Sequence, residues 1–370
     1  QAEDGIRDRS PSRGLGDVYK RQVPRIWERM YSTSLVKMRD ATFFKRILFN
    51  FSLKLGNIAT ERRLNKSFND LIARILLLIA HILSFRTLKK KLGLSKIAIA
   101  ISGAAPIAPE VLKFFMALGV PIFEAYGMTE NCAYVTSNDF EIIEIGSVGR
   151  PHENCEIKIA DDGEILTRHG GTFKGYYKDE KSTKDVIDEE GWLHTGDVGK
   201  ITEKGSLIIT DRKKDIIVTS GGKNVSPSEI ENKIKASPFI KDALVVGDKR
   251  KFLSCLVAIE FETVSNWALR KKIPFTTYRD LTEKPEVRDL VSKEIIRANE
   301  KTSSLQVRKF ELIPKELDHE DGELTATQKI KRNVIIEQFS ELVESMYKYC
   351  LLYTSQSPRD GLLSRMPSSA

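Results

Sequence analysis

The segment from Lys96 to Glu130, KIAIAISGAAPIAPEVLKFFMALGVPIFEAYGMTE, decides the architecture. Lys96–Ser102 is a short apolar run of strand length, closed by Gly103. Pro106 and Pro109 lead into a helix around Glu110–Leu118, because a first helical turn tolerates a residue without an N–H. Val120–Glu124 is a second apolar run and stops at Tyr126-Gly127. Strand, helix and strand in that order predict a βαβ unit of a parallel sheet. Ligands of such sheets sit beyond the carboxyl ends of the strands, where Gly103 and Tyr126 fall.

Those strand ends carry residue types suited to a nucleotide. Thr129 offers a hydroxyl to a phosphate oxygen, and the carboxylate of Glu130 offers hard oxygen atoms to Mg²⁺. Tyr126 presents an aromatic face to a purine. Gly103, Ala104 and Ala105 have small side chains, so backbone can lie close to the same base. A second stretch, GWLHTGDVGKITEKGSLIITDRKK from Gly191 to Lys214, adds Asp197 and Arg212. A carboxylate accepts both hydroxyls of a ribose, and Gly196 before it permits close approach. The Arg212 fork can meet the same sugar or a phosphate. Lys329, in LTATQKIKR at 324–332, can bridge a carboxylate and an α-phosphate as charge develops; a basic surface loop is the bland alternative.

Around this centre the texture changes along the chain. Residues 23–95 read mostly as helix, with apolar residues at three- and four-residue spacing through Phe43, Ile47, Phe51 and Leu55, then Leu64, Phe68, Leu71 and Ile75. From Gly146 to Thr210, short strands (Glu156–Ile159, Glu164–Thr167, Leu207–Thr210) alternate with Asp-Asp-Gly and Glu-Lys-Gly turns, a β-rich subdomain. Beyond a boundary at Asp211–Lys214 come strand Ile216–Thr219, helix Pro227–Ala236, strands Ala243–Gly247 and Cys255–Ile259, then helices. Residues 1–22 and 348–370 lack periodicity and read as non-native or disordered tails.

From Val23 to about Tyr347, nearly nine-tenths of its length, the chain resembles a long-chain fatty acid–CoA ligase of the adenylate-forming enzymes. Ser102–Pro106 is similar to that family's adenine-site strand end, and Glu124 with Tyr126–Glu130 to its nucleotide, phosphate and metal motif, including Gly127. Asp197 and Arg212 are similar to its ribose contacts. Lys214 is similar to the hinge about which a small C-terminal domain rotates. Gly221, Gly222 and Lys223 resemble the loop that enters the site for thioester formation. Lys329 resembles the adenylation lysine, although a common Thr-Pro-Thr-Leu-Lys reads Thr-Ala-Thr-Gln-Lys here. The helical stretch before Lys96 resembles an insertion of the long-chain enzymes.

The resemblance implies an α/β fold: part of a large adenylating domain at 23–211 (helical insertion 23–95, β-rich subdomain 146–211) followed by a small mobile α+β domain at 212–347. It implies two steps with Mg²⁺, ATP and CoA, in which a fatty carboxylate becomes acyl-AMP and then acyl-CoA. Family members also carry a Ser/Thr/Gly-rich loop ending in Pro-Lys-Gly that cradles the outer phosphates. These 370 residues contain no such segment, so the expectation is the C-terminal part of a longer enzyme, inactive alone. Another adenylate-forming ligase, for medium-chain or aryl acids, is the nearest rival.

Composition bounds the remaining readings. Residues 37–96 hold fourteen Lys/Arg against three acids, +11 of a whole-chain +8, so the rest sums to −3. Such a block is a solvated basic face first and a contact for an anionic membrane second. A nucleic-acid partner is not expected, since no binding module accompanies the charge. A membrane-surface protein with a degenerate nucleotide site is therefore the rival from another class. The run Leu71–Leu83, broken by Arg74 and His81, falls short of the ~20 residues of a spanning helix and reads as buried or interfacial. Cys132, Cys155, Cys255 and Cys350 form no CxxC pair, which suggests reduced thiols without zinc. The expected location is cytoplasmic, with peripheral attachment at a membrane surface as its variant.

Overall fold

The computed structural model describes residues 19–65, 70–97, 99–140, 143–302, 305–325 and 330–348. The first part runs β1 (Tyr19–Gln22), α1 (Pro24–Arg39), α2 (Phe43–Asn65), α3 (Leu71–Ala80), a π-helical turn at His81–Phe85, α4 (Arg86–Lys91), β2 (Ile99–Gly103), α5 (Pro109–Ala117), β3 (Ile122–Tyr126), β4 (Thr136–Ser137) and β5 (Arg150–Pro151). One five-stranded sheet joins β1 to β5 in chain order. Pairs β1/β2 and β2/β3 are parallel, the latter from Ala100↔Ile122 to Gly103↔Ala125. The pairs β3/β4 and β4/β5 are antiparallel.

Helix α5 has Pro109 in its first turn and ends at Leu118, where Gly119, at φ +75°, donates its N–H to Met116 O. Six of its nine residues are buried, among them Phe114 and Phe115, each contributing about 2 kcal/mol by transfer from water. Trp27 of α1 meets the Phe115 ring edge-on at 5.1 Å. Helix α2 lies against α5 through Gly56, where an added Cβ would stand 2.4 Å from Ala117 O. The inward row of α2 is therefore Phe49, Ser52, Gly56, Ala59 and Thr60.

The periodic pattern read from sequence does form a helix, but the buried row lies on another of its faces. Phe43, Ile47 and Phe51 do share a helix face, but it points outward, at 69, 50 and 51% exposure. Small residues let α2 approach α5 closely, which leaves the bulky residues on the far side. Phe68 lies outside the described residues. The tail read at residues 1–22 is corrected at its last four, and residues 1–18 lie outside the described residues. Tyr19–Gln22 forms the edge strand of the parallel sheet, in register with Ile99–Ser102. Its sequence, YKRQ, has no apolar signal, because an edge strand is specified by the backbone partner beside it.

The next part is a four-stranded antiparallel sheet in chain order, β6 (Glu156–Ile159), β7 (Glu164–Arg168), β8 (Leu193–Ile201) and β9 (Leu207–Arg212), with α6 (Glu180–Val186) before β8. After it come the short hairpin β10 (Ile217–Val218) and β11 (Asn224–Val225), α7 (Pro227–Lys235), β12 (Ile240–Val246), β13 (Leu253–Ile259), α8 (Phe261–Arg270), α9 (Tyr278–Glu283), α10 (Pro285–Glu300), β14 (Val307–Leu312), α11 (Arg332–Gln338) and α12 (Ser340–Lys348). Strand β13 is central, antiparallel to β12 and parallel to β14. All seven of its residues are buried. Alternate residues feed two cores, Cys255 and Val257 on one face, Leu256 and Ala258 on the other, as the two-residue period of a strand requires. The molecule is thus α/β in its first part and α+β in its last.

Candidate functional site

The carboxyl ends of β2 and β3 lie side by side, with Gly103 opposite Ala125. Ala104 follows at φ +73°, a left-handed conformation uncommon for a residue with a Cβ. Tyr126, Gly127 and the one-turn helix Thr129–Asn131 make a tight loop. Asn131, fully buried, accepts from Met128 N at 2.7 Å through its side chain. Gly127 has no room for a side chain, since a Cβ there would sit 2.4 Å from the carbonyl carbon of Ala133.

Tyr126 is the pivot. Its hydroxyl donates to Asp197 Oδ2 at 2.8 Å, and Arg212 Nε stands 3.3 Å from Asp197 Oδ1. Asp197 and Arg212 are paired on β8 and β9. Residues 71 and 86 positions apart thus meet at one carboxylate. Asp197 is nearly buried, whereas Arg212 is half-exposed. Burial, and then the charge of Asp197, pushes the Tyr126 hydroxyl well above the usual phenol range. A carboxylate accepts from several donors at once, which makes Asp197 the right type of group for a ligand's hydroxyls as well as for Tyr126 and Arg212.

Local geometry aims Asp197. The pairing of β7 with β8 slips between Glu164 and Leu166, and Gly196 takes φ +69°. The Thr195 hydroxyl donates to Ile165 O at 2.7 Å, and Gly196 N donates to Glu164 Oε1 at 2.9 Å. Lys213 Nζ reaches the other Glu164 oxygen at 3.1 Å and Asp162 at 2.5 Å. Burial opposes ionisation of Glu164, but the Gly196 N–H and Lys213 outweigh it and hold its carboxyl below the usual range. Glu164 therefore braces both the Asp197 turn and the Lys213–Asp215 turn that carries Lys214, which is exposed.

Asp211 is the second brace. It is buried and accepts from Ser226 Oγ at 2.8 Å, Ser228 N at 3.0 Å, Ser228 Oγ at 2.9 Å and Arg212 N at 2.8 Å. It ties the end of β9 to the start of α7. The sequence reading named neither Glu164 nor Asp211 as a site residue. Acids before Gly-rich or basic turns carry no chemical mark, although Asp211 sat beside Arg212 in the quoted stretch.

Glu130 is half-buried, and its Oε1 accepts from Tyr176 OH at 3.0 Å. Thr129 beside it is exposed. No cluster of three His, Cys, Asp or Glu able to hold a metal occurs among the described residues. A single carboxylate with phosphate oxygens and water suits Mg²⁺, which keeps much of its hydration. Glu124 takes another place. It is buried, and burial pushes its carboxyl up to about 8, against N–H donation from Ile107 and Gly146. Its Oε2 and the Ser102 Oγ, at paired positions of β2 and β3, both lack a hydrogen-bond partner among the described residues. Gly221, Gly222 and Lys223 form the exposed turn between β10 and β11, with Gly222 at φ +74°. Lys329 lies outside the described residues. A cleft between the two parts ends on Ala104 and Ala105, faced by Asp215, Ser228 and Leu244.

Comparison with known proteins places the chain. Residues 22–177 match the AMP-binding enzyme family, and residues 214–350 match the AMP-binding enzyme C-terminal domain. Asp197 and Arg212 fall between the two ranges. The chain is similar to the long-chain-fatty-acid–CoA ligase FadD15 of Mycobacterium bovis, at 34% identity over 88% of this chain and 54% of that protein. It is similar to the peroxisomal long chain acyl-CoA synthetase 6 of Arabidopsis thaliana, at 33% over 88% of this chain and 48% of that one. The chain spans about half the length of the curated relatives it matches. Among solved structures, the A domain of a carboxylic acid reductase from Segniliparus rugosus, in complex with AMP and a co-purified carboxylic acid, shares the fold. Its TM-score is 0.61 at 21% identity, covering 89% of this chain and 47% of that one.

Proposed function

The chain belongs to the AMP-binding enzyme family, and from that premise we propose that its reaction is the ATP-dependent activation of long-chain fatty acids, through acyl-AMP, to acyl-CoA. The observation that carries this reading is the meeting of Tyr126, Asp197 and Arg212 at one carboxylate beside the ends of β2 and β3. Two long-chain acyl-CoA-forming relatives support the substrate class.

In this reading Asp197 accepts the ribose hydroxyls and Arg212 lies against the same sugar. Tyr126 and the Gly103–Ala105 backbone flank the adenine. The Thr129 hydroxyl donates to a phosphate oxygen, and Glu130 holds Mg²⁺. When bound, the metal neutralises phosphate charge. Lys329 offsets negative charge growing at the α-phosphate. Rotation about Lys214 would then exchange that lysine for the Gly221–Lys223 turn during thioester formation with CoA.

Calorimetry with AMP tests the centre directly. The chain binds AMP, and Asp197→Asn weakens it at least tenfold, the loss of a charged acceptor for two hydroxyls. Undiminished binding by that variant would overturn the ribose assignment. Pyrophosphate exchange is a separate readout. With palmitate and ATP this chain exchanges little, because its 370 residues contain no Gly-rich cradle for the outer phosphates. Turnover by the chain alone would refute that part and leave the site standing.

A further inference from the structure

Helices α2 and α3 form an antiparallel pair. The Phe49 and Phe85 rings stand 6.4 Å apart at one end, and Arg62 Nε lies 2.9 Å from Asp70 Oδ1 at the other. One side of the pair is built into the molecule through Phe49, Gly56 and Ala59 of α2, with Ala73, Ala80 and Phe85 opposite. The other side is apolar and open. Phe43, Phe44, Leu71 and Ile82 are each 69–72% exposed, and Leu78 is 59% exposed. Leu71, Ile75, Leu78 and Ile82 recur at three and four residues, a single stripe.

The π-helical turn continues α3 into α4, so the apolar segment does not stop at Leu83. Leu71–Lys91 is 21 residues, and an 18-residue window within it has mean hydropathy 1.9, long and apolar enough to cross a membrane by length and composition. Two features favour lying over spanning. Ala73, Ala80 and Phe85 are locked inside the molecule, and exposed Arg74 interrupts the segment. The stripe also ends in Arg86, Lys90 and Lys91, all exposed. Residues 43–65 and 71–91 together hold ten Lys/Arg and one acid, Glu61.

These cations crowd one another. Burial, then Lys89 and Arg86, holds His81 below its usual range, and burial, then Arg74, does the same to Arg63. A second copy of this face would add like charges to the crowding, and an apolar protein partner would leave them unmatched. A surface of lipid phosphates over acyl chains answers both properties at once.

We propose that the exposed face of α2 and α3 lies in the surface of an anionic membrane, its Leu/Ile stripe at the acyl boundary and its Lys/Arg flank on lipid phosphates. This is independent of the nucleotide site. Flotation of the chain with phosphatidylcholine vesicles, with and without phosphatidylglycerol, tests it. The chain floats with the anionic vesicles, and high salt weakens binding. Arg86→Glu/Lys90→Glu and Leu78→Glu/Ile82→Glu each lower the bound fraction about tenfold or more. All four side chains are exposed, so unchanged thermal melting separates lost docking from lost folding. Ile79→Trp gives blue-shifted emission only when anionic vesicles are added. Equal binding to neutral vesicles would overturn the proposal. So would a concentration-dependent dimer that ignores lipid, or vesicle binding by a longer form of the protein that the four-residue changes leave intact.

Discussion

At the scale of single residues, Tyr126 and Glu124 lie two positions apart on β3 and have opposite energetics. Tyr126 gives its hydroxyl to an ionised partner. Tyr126→Phe keeps the ring and removes that bond, which costs about 1.5–3 kcal/mol; denaturant unfolding reads it, and AMP affinity falls with it because Asp197 loses its fixed orientation. Glu124 is buried, and its Oε2 has no hydrogen-bond partner among the described residues. Its carboxyl titrates near 4.5 in the unfolded chain and near 8 when folded. Between those values the unfolded chain has lost the proton that the folded chain still holds. Stability therefore falls as pH rises through that window and levels off above about 8. Glu124→Gln removes the titration, so its melting-temperature advantage over the parent grows from pH 4.5 to 8 and stays constant beyond; a constant difference across the range would refute the buried-acid reading. Glu164 runs the other way: its carboxyl sits below the ordinary range, so its bracing of Gly196 and Lys213 is present above that range and lost as acid protonates it.

At the scale of elements, the interface of α2 with α5 shows how a small residue sets a layer. Gly56 brings α2 against Ala117, which turns the inward row toward Ser and Ala and leaves Phe43, Phe44 and Phe51 outside. Gly56→Val places atoms where the α5 backbone stands and forces the helices apart. The expected cost is about 2 kcal/mol or more, measured by chemical denaturation, whereas Asn57→Ala beside it, at an exposed position, is close to neutral. The helix was legible because its apolar residues repeat every three or four positions. Its direction was not, because a periodic stripe says that a face exists and not which neighbour it meets. Edge strand β1 was missed for a related reason: pairing with β2 specifies YKRQ, and nothing in its own side chains does.

At the scale of the whole molecule, ion pairs and a carboxylate hub cross the joint between the two parts, the pair of Arg270 with Asp40 among them. Asp211 gathers four donors from both sides of the joint. Arg25 of α1 meets Asp242 of β12 at 3.1 Å, and Lys301 meets Glu110 at 3.3 Å. The rotation proposed about Lys214 would break the last two pairs and spare the first network, which lies beside that residue. Asp211→Asn removes the charged acceptor and costs about 2–3 kcal/mol, seen as a lower melting temperature and faster limited proteolysis between 212 and 226. Arg25→Met leaves the fold intact and shifts the domains apart, read as a larger radius in X-ray scattering. The amino-acid string by itself determined the kinds of element, and the order and chemical types of the residues proposed for the nucleotide site, since periodicity, turn residues and side-chain chemistry are local properties. Only the tertiary structure decided that Tyr126, Asp197 and Arg212 share one carboxylate, that Glu124 is buried, and that the apolar face of α2 and α3 is exposed. Each depends on which distant segments pack together, and packing free energy is a property of neighbours that a linear pattern does not contain.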